Sequence, residues 1–325
     1  MKQAILIMMH KNIEQLKRLV RFFPSDRCTC FIHADKKFDM DTALIQSELD
    51  NVNTNCIVLP KRISGQLANW SLADISLELI KFAYEYGERN HIRFQYYRLL
   101  SGQDYPIKSF QEYEDFLSDN YPKNFMGINR YDEGIKHVID KYSRWRFNAM
   151  RSIIDDHVSN SVLRKGLIIP LHALESVYTW IKGTPYCFLS QRGYQVVGGP
   201  SWWNISDKLA AYIVDVISEK NEMIETIKRI ATPEEAIIQM IFVNSPLWHG
   251  KFTENLTIGN YGRRNQARNG HTHPWSIMDY EELINTKCFF ARKFDMDFDS
   301  EILDEMDKRI YGKTVLTEDD TNEEK

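Results

Sequence analysis

The chain has 325 residues, 43% hydrophobic and 26% charged, which is long and apolar enough to bury a core in one large α/β domain or two smaller ones. A formal net charge of −4 and a pI near 6.2 argue against a nucleic-acid partner, which would call for a basic excess. Five scattered cysteines (Cys28, Cys30, Cys56, Cys187 and Cys288) form no paired C-x-x-C framework. They read as reduced thiols and not as a disulfide scaffold or a zinc site.

In chain order, the apolar run Ala4–Met9 reads as a buried strand, stopped by His10-Lys11-Asn12. It is too short for a secretory h-region or a membrane span. The expected location is therefore cytoplasmic, with peripheral contact at the inner face of the membrane as an option. Residues 13–23 carry Leu16, Leu19, Val20 and Phe23 at helical spacing. Residues 28–33 and 57–59 read as further strands. Residues 71–86 form a strong helical pattern through Leu72, Ile75, Leu79, Phe82, Ala83 and Tyr86. A strand over 94–100 and a short helix over 110–117 follow. Alternating strands and helices predict a parallel sheet covered on both faces, with ligands beyond the carboxyl ends of its strands.

Residues 130–185 are basic and aromatic, with Arg130, Lys136, Lys141, Arg144, Trp145, Arg146 and Arg151. That stretch suits an acceptor surface, an anionic membrane or an ordinary solvated helix face. Residues 195–245 read as strand or loop, helix, turn, helix, with Ser206 capping one helix and Thr232-Pro233 opening the next. The last residues, 313–325, are acidic and nearly devoid of apolar side chains, the composition of a disordered tail.

No G-x-G-x-x-G follows the first strand, and Walker A, G-x-S-x-G and H-E-x-x-H patterns are absent, which disfavours the usual hydride-transfer, ATPase and hydrolase chemistries. Several other segments occur in a fixed order: 32–37 (IHADKK), 68–71 (ANWS), 97–108 (YRLLSGQDYPIK), 198–203 (GGPSWW), 232–235 (TPEE), 273–275 (HPW) and 289–295 (FFARKFD). As an ordered set spanning about residues 4–300, the chain resembles the core 2/I-branching β-1,6-N-acetylglucosaminyltransferase family, which also takes in the peptide O-xylosyltransferases.

The resemblance implies an α/β, GT-A-like, Rossmann-related domain with a mostly parallel sheet flanked by helices. It also implies an inverting, metal-independent transfer from UDP-N-acetylglucosamine or UDP-xylose to a carbohydrate hydroxyl, with no cofactor. A role in surface polysaccharide or glycoconjugate synthesis would follow. Residues 1–125 would be the nucleotide-sugar-binding half and 126–312 the acceptor-binding and catalytic half of the same domain.

Inverting transfer needs a base beside the acceptor hydroxyl. The family's base falls on Glu235, with Glu234 as the neighbour if the register slips. The physical alternative is a capping box, Thr232-x-x-Glu235, in which Glu235 bonds back to the Thr232 amide. Lys293 matches the family's phosphate-binding Lys, and Arg292 adds a second fixed cation for the departing diphosphate. Arg263, Arg264, Arg268 and His273 are further candidates for that charge. Two Asp-x-Asp spellings, at Asp39 and Asp41 and within Asp295–Asp299, could instead hold a metal, but ordinary loop and helix-start acids have the same spelling.

His33 and Asp35 follow the second strand where a nucleoside would sit. Trp70, Ser101, Gly102 and Asp104 complete the donor set, with Gly102 admitting close backbone approach. Ser201, Trp202 and Trp203 form the acceptor side, and core packing is the alternative for either Trp. Two other classes of function stay open on the sequence. One is a catalytically silent carbohydrate- or nucleotide-binding protein. The other is a polysaccharide-assembly partner that makes contact through the basic 130–151 stretch.

Overall fold

The computed structural model describes residues 1–53, 55–250, 254–260 and 272–312; the expected tail, 313–325, lies outside them. In chain order the first half runs β1 Gln3–Met9, α1 Ile13–Arg21, β2 Cys28–Ala34, α2 Thr42–Asp50, β3 Cys56–Val58, α3 Trp70–Asn90, β4 Tyr96–Ser101, β5 Asp104–Pro106 and α4 Phe110–Asn120. The second half runs β6 Asn129–Arg130, α5 Lys136–Tyr142, α6 Asn148–His157, α7 Ser161–Lys182, α8 Pro185–Ser190, β7 Val197–Gly198, β8 Asn204–Ser206, α9 Asp207–Ser218, α10 Glu222–Ile227, α11 Ile237–Val243, β9 Thr257–Gly259, α12 Tyr280–Asn285, β10 Phe290–Arg292 and α13 Glu301–Tyr311.

The main sheet has the order β3-β2-β1-β4-β8. Its first four strands are parallel, and β8 closes the edge antiparallel to β4. This is the mostly parallel, helix-flanked architecture that the resemblance implies for a GT-A-like domain. Ala4 to Ile7 are fully buried, as a strand covered on both faces requires. Alternation sends Ala4 and Leu6 toward one core with Phe31, Leu99 and α3. Ile5, Ile7 and Met9 face the other, with Leu16, Leu19, Ile45 and Leu303. Cys28 and Cys30 share that second face as buried, free thiols.

Local chemistry explains several element ends. Asn12 caps α1 by accepting from the Gln15 amide at 3.0 Å. Asn69 caps α3 from the Ser71 amide, and Ser109 with Glu112 makes a reciprocal capping box at α4. Other sequence expectations need correction. The helix α2 is an addition to the sequence reading. Ser206 sits at the N-cap of α9 without a side-chain cap bond; its amide instead donates to Asn124 Oδ1.

The Thr232–Glu235 capping box does not form. Thr232 is left-handed, with φ 49°, and Pro233–Glu235 is a single 3-10 turn ahead of α11. Its hydroxyl makes no cap bond there.

The two halves of the chain share their sheets. β8 joins the main sheet, and β10 pairs with β5 on one side and β9 on the other. Late residues Arg292 and Lys293 are thereby carried to the carboxyl edge of the early strands.

Candidate functional site

A cavity of about 470 Å³ opens at the carboxyl ends of β1, β2 and β4. Strand register fixes its floor, because Met8 lies opposite both His33 and Ser101. All three line the cavity, with Met9, His10, Asp35 and Gln103 just beyond. This is the crevice where open α/β sheets bind ligands. A larger cavity, about 860 Å³ among Phe125, Trp248 and Phe289, contains none of the candidate site residues.

The strand-borne polar groups are held by backbone. His33 Nε2 accepts from the Ile63 amide at 2.9 Å, so the ring is neutral at that nitrogen. Burial lowers its pKa to about 4. Asp35 accepts from the Lys37 amide at 2.8 Å and from the Gly65 amide at 2.9 Å. Ser101 accepts at its hydroxyl from the Gln103 amide and donates its own amide to Asp104.

The opposite wall comes from loops and short elements. Ser201, Trp202, Glu234, Thr272, Arg292 and Lys293 line it. The Arg292 guanidinium stacks 3.6 Å from the Trp202 ring centroid, and Arg292 Nη1 stands 3.2 Å from the buried Asp104 carboxylate. Lys293 has its pKa lowered, first by burial and then by Arg292 and Lys11, against the pull of Asp295. His10 is lowered too, by burial and then by Lys293. Arg292 and Lys293 therefore bring two cations to this edge of the cavity, which suits an anionic ligand group.

Glu234 is the carboxylate that this wall brings to the cavity. Its Oε1 accepts from the Ala68 amide at 3.3 Å. Its Oε2 is buried without a hydrogen-bond partner among the described residues. Burial raises its pKa to about 7, and the neighbouring charge of Glu235 adds to that rise. Glu235 points elsewhere. Its Oε2 pairs with Lys141 Nζ at 2.9 Å, and the same ammonium donates to the Glu235 carbonyl. Lys141 is buried, so the pair is a structural clasp beneath Gly198. A Cβ at Gly199 would collide with the Gly127 carbonyl, so this crossing needs glycine.

The cavity thus gathers His33, Asp35, Ser101, Arg292, Lys293, Ser201 and Trp202. Five other candidates do not line it, each for a visible reason. Trp70 begins α3 with its ring 5.3 Å from the Lys228 ammonium. Gly102 turns its carbonyl to Gln15 Nε2. Asp104 is fully buried behind Arg292. Trp203 is core, and Glu235 is held by Lys141. His273 Nδ1 lies by the Pro274 carbonyl, while Arg263, Arg264 and Arg268 lie outside the described residues. Among the Asp-x-Asp acids, Asp41 caps α2, Asp295 pairs with Lys11 and Asp299 accepts from the Ile277 amide. Among the described residues no three His, Cys, Asp or Glu side chains are grouped to hold a metal ion.

Residues 4–285 match the family model described as Core-2/I-Branching enzyme. The chain belongs to this family of glycosyltransferases. Its curated relatives include "Xylosyltransferase 2" of Canis lupus familiaris, 23% identical across 95% of this chain and 34% of that protein. "Xylosyltransferase oxt" of Drosophila pseudoobscura pseudoobscura is 22% identical across 93% and 32%. The chain spans about a third of the length of the curated relatives it matches. Mouse xyloside xylosyltransferase 1, in its apo form, superposes with a TM-score of 0.39 at 8% identity, over 90% of this chain and 97% of that one; so distant a likeness adds nothing to the argument.

Within this Core-2/I-Branching chain, His10, Lys37 and Gln103 line the cavity without having been singled out from the sequence. His10 could have been: it is the first residue after β1, at the edge where α/β sheets present ligands. Lys37 and Gln103 follow β2 and β4 in the same way.

Proposed function

We propose that this chain transfers a sugar from a nucleoside diphosphate sugar to a carbohydrate hydroxyl, with Glu234 as the base. UDP is the favoured nucleotide, N-acetylglucosamine the favoured sugar and xylose the second choice. Family membership supports the reaction class. The observation that carries the assignment of the base is the buried Glu234 Oε2, without a hydrogen-bond partner among the described residues, in a cavity shared with Arg292 and Lys293.

The acceptor oxygen attacks the anomeric carbon as the bond to the diphosphate oxygen breaks, and the configuration inverts. Glu234 takes the acceptor proton; a pKa near 7 suits a base working at neutral pH. Arg292 and Lys293 meet the negative charge growing on the diphosphate, in the place where other glycosyltransferases use a divalent metal. Asp104 and the Trp202 ring hold the Arg292 guanidinium in place for that task. His33 and Asp35 face the nucleoside, and Trp202 borders the acceptor.

A donor screen by release of the nucleoside diphosphate tests the reading. UDP should appear from UDP-N-acetylglucosamine or UDP-xylose, and added EDTA should leave the rate unchanged. Release from no UDP-sugar would reject the donor assignment, and a strict Mn²⁺ requirement would reject the metal-free mechanism.

A further inference from the structure

Helix α7, Ser161–Lys182, is inside-out for a surface helix. A surface helix ordinarily turns its apolar stripe to the core and its charges to water. Here Leu171 and Glu175 are the buried residues. Glu175 is tied to the body of the protein by Arg151 Nη2 at 2.7 Å and by the Phe147 amide at 2.9 Å. The outward side holds Val162 at 78% exposure, Ile169 at 68%, Trp180 at 86% and Ile181 at 65%, with Leu174 and Val177 between them. At 3.6 residues per turn these six fall on one arc that carries no charged residue. Lys165 flanks one edge of that arc; Arg164 and Lys182 lie at the angle of Leu171 and Glu175, and Arg164 pairs with Asp155. The neighbouring α6 exposes Met150 and Ile153 as well.

We propose that the outer face of α7 docks on a lipid bilayer containing anionic headgroups. The helix would lie flat, its apolar arc in the acyl boundary and Lys165 at headgroup level. Its 22 residues span roughly 33 Å, and among the described residues no helix is long and apolar enough to cross a membrane. An exposed apolar arc with a Lys at its edge and a Trp near one end is the pattern of a helix that lies on a membrane.

Charge complementarity selects the bilayer as occupant. The one acid of α7, Glu175, is buried, whereas Lys165 and Lys182 are exposed, in a chain of net charge −4. The surface also differs from the one the basic 130–151 stretch suggests. In that stretch Arg130 pairs with Asp132, Lys141 with Glu235, and Arg146 and Arg151 with Glu175. Those cations serve the fold, and the exposed apolar arc next to them is the contact.

The test is flotation of the full chain with phosphatidylcholine vesicles, with and without phosphatidylglycerol, at low and high salt. Wild type should float with the anionic vesicles, and less so at high salt. The double variant Val177→Glu/Ile181→Glu should lose binding by on the order of tenfold or more, with unchanged circular dichroism and melting temperature, since both residues are exposed. Failure of wild type to float on anionic vesicles, or undiminished flotation of the variant, would overturn the proposal. So would a concentration-dependent wild-type dimer that the variant dissolves, without vesicle binding, because a second copy would then cover the face.

Discussion

The two walls of the cavity are built in opposite ways. On the strand wall the polar groups are already satisfied: His33 and Asp35 accept from the amides of Ile63, Lys37 and Gly65. On the loop wall the carboxylate of Glu234 keeps one buried oxygen without a partner among the described residues, and the Lys293 ammonium is partly desolvated. A satisfied polar group positions a ligand at little cost, whereas an unsatisfied, desolvated one is primed to exchange a proton or meet a charge. The strand wall is thus a mould, and the loop wall is where the chemistry is placed.

The largest effect that can break this contrast is Glu234→Gln. It should lower the transfer rate by about a hundred- to ten-thousand-fold while leaving a UDP-induced thermal shift intact. Glu235→Gln should retain activity within about tenfold and lower the melting temperature instead, because it leaves the Lys141 ammonium buried without its carboxylate. Equal losses in the two variants, read by turnover and melting, would erase the distinction between the neighbouring glutamates.

Next in size, Lys293→Ala should cut kcat/KM by about a hundredfold. It is the cleaner probe of the two cations, since Arg292→Ala would also strand the buried Asp104. Steady-state kinetics with varied donor distinguishes a loss at the diphosphate from one at the acceptor.

Stability against pH sharpens the same contrast through its sign. Glu234 has a folded pKa raised from 4.5 to about 7, so the folded state holds the extra proton between those values. Its contribution is present at low pH and is lost as pH rises through about 7. His33 has a folded pKa lowered from 6.5 to about 4. Its contribution is present above 6.5 and is lost as pH falls toward 4. Denaturant unfolding of Glu234→Gln between those limits should therefore show a steeper rise in stability with pH than wild type. An identical profile would contradict the desolvation of Glu234.

The smallest expected effect is Trp202→Ala. Loss of the stacking on Arg292 should weaken kcat/KM by about three- to tenfold. An unchanged value would detach Trp202 from the site.

The mould was more legible in the sequence than the chemistry. Runs such as Ala4–Met9, and a helical pattern as long as 71–86, mark the elements that frame the crevice. Once β1, β2 and β4 are recognised, the residues at their carboxyl ends are candidates by topology alone. That argument reaches His33, Asp35 and Ser101, and it extends to the overlooked His10. The loop wall has no such period. Glu234 and Glu235 are adjacent in a three-residue turn, and nothing in their spacing says which faces the cavity and which faces Lys141. Trp202 and Trp203 are successive residues of an extended segment, so one must turn inward to the core, but the sequence does not choose. Trp70 opened a helix in a promising motif, and only packing shows it turned toward Lys228. The exposure of the α7 arc is not legible in the sequence, because helical periodicity gives a face without saying whether that face is in or out.

The most direct measurement is the acid limb of kcat/KM against pH, followed by nucleotide release from the preferred donor. Wild type should lose activity as pH falls through about 7, Glu235→Gln should keep that limb but shifted to lower pH by loss of the neighbouring charge, and the residual activity of Glu234→Gln should lack it. The same limb persisting in Glu234→Gln, or vanishing in Glu235→Gln, would contradict the assignment of the base.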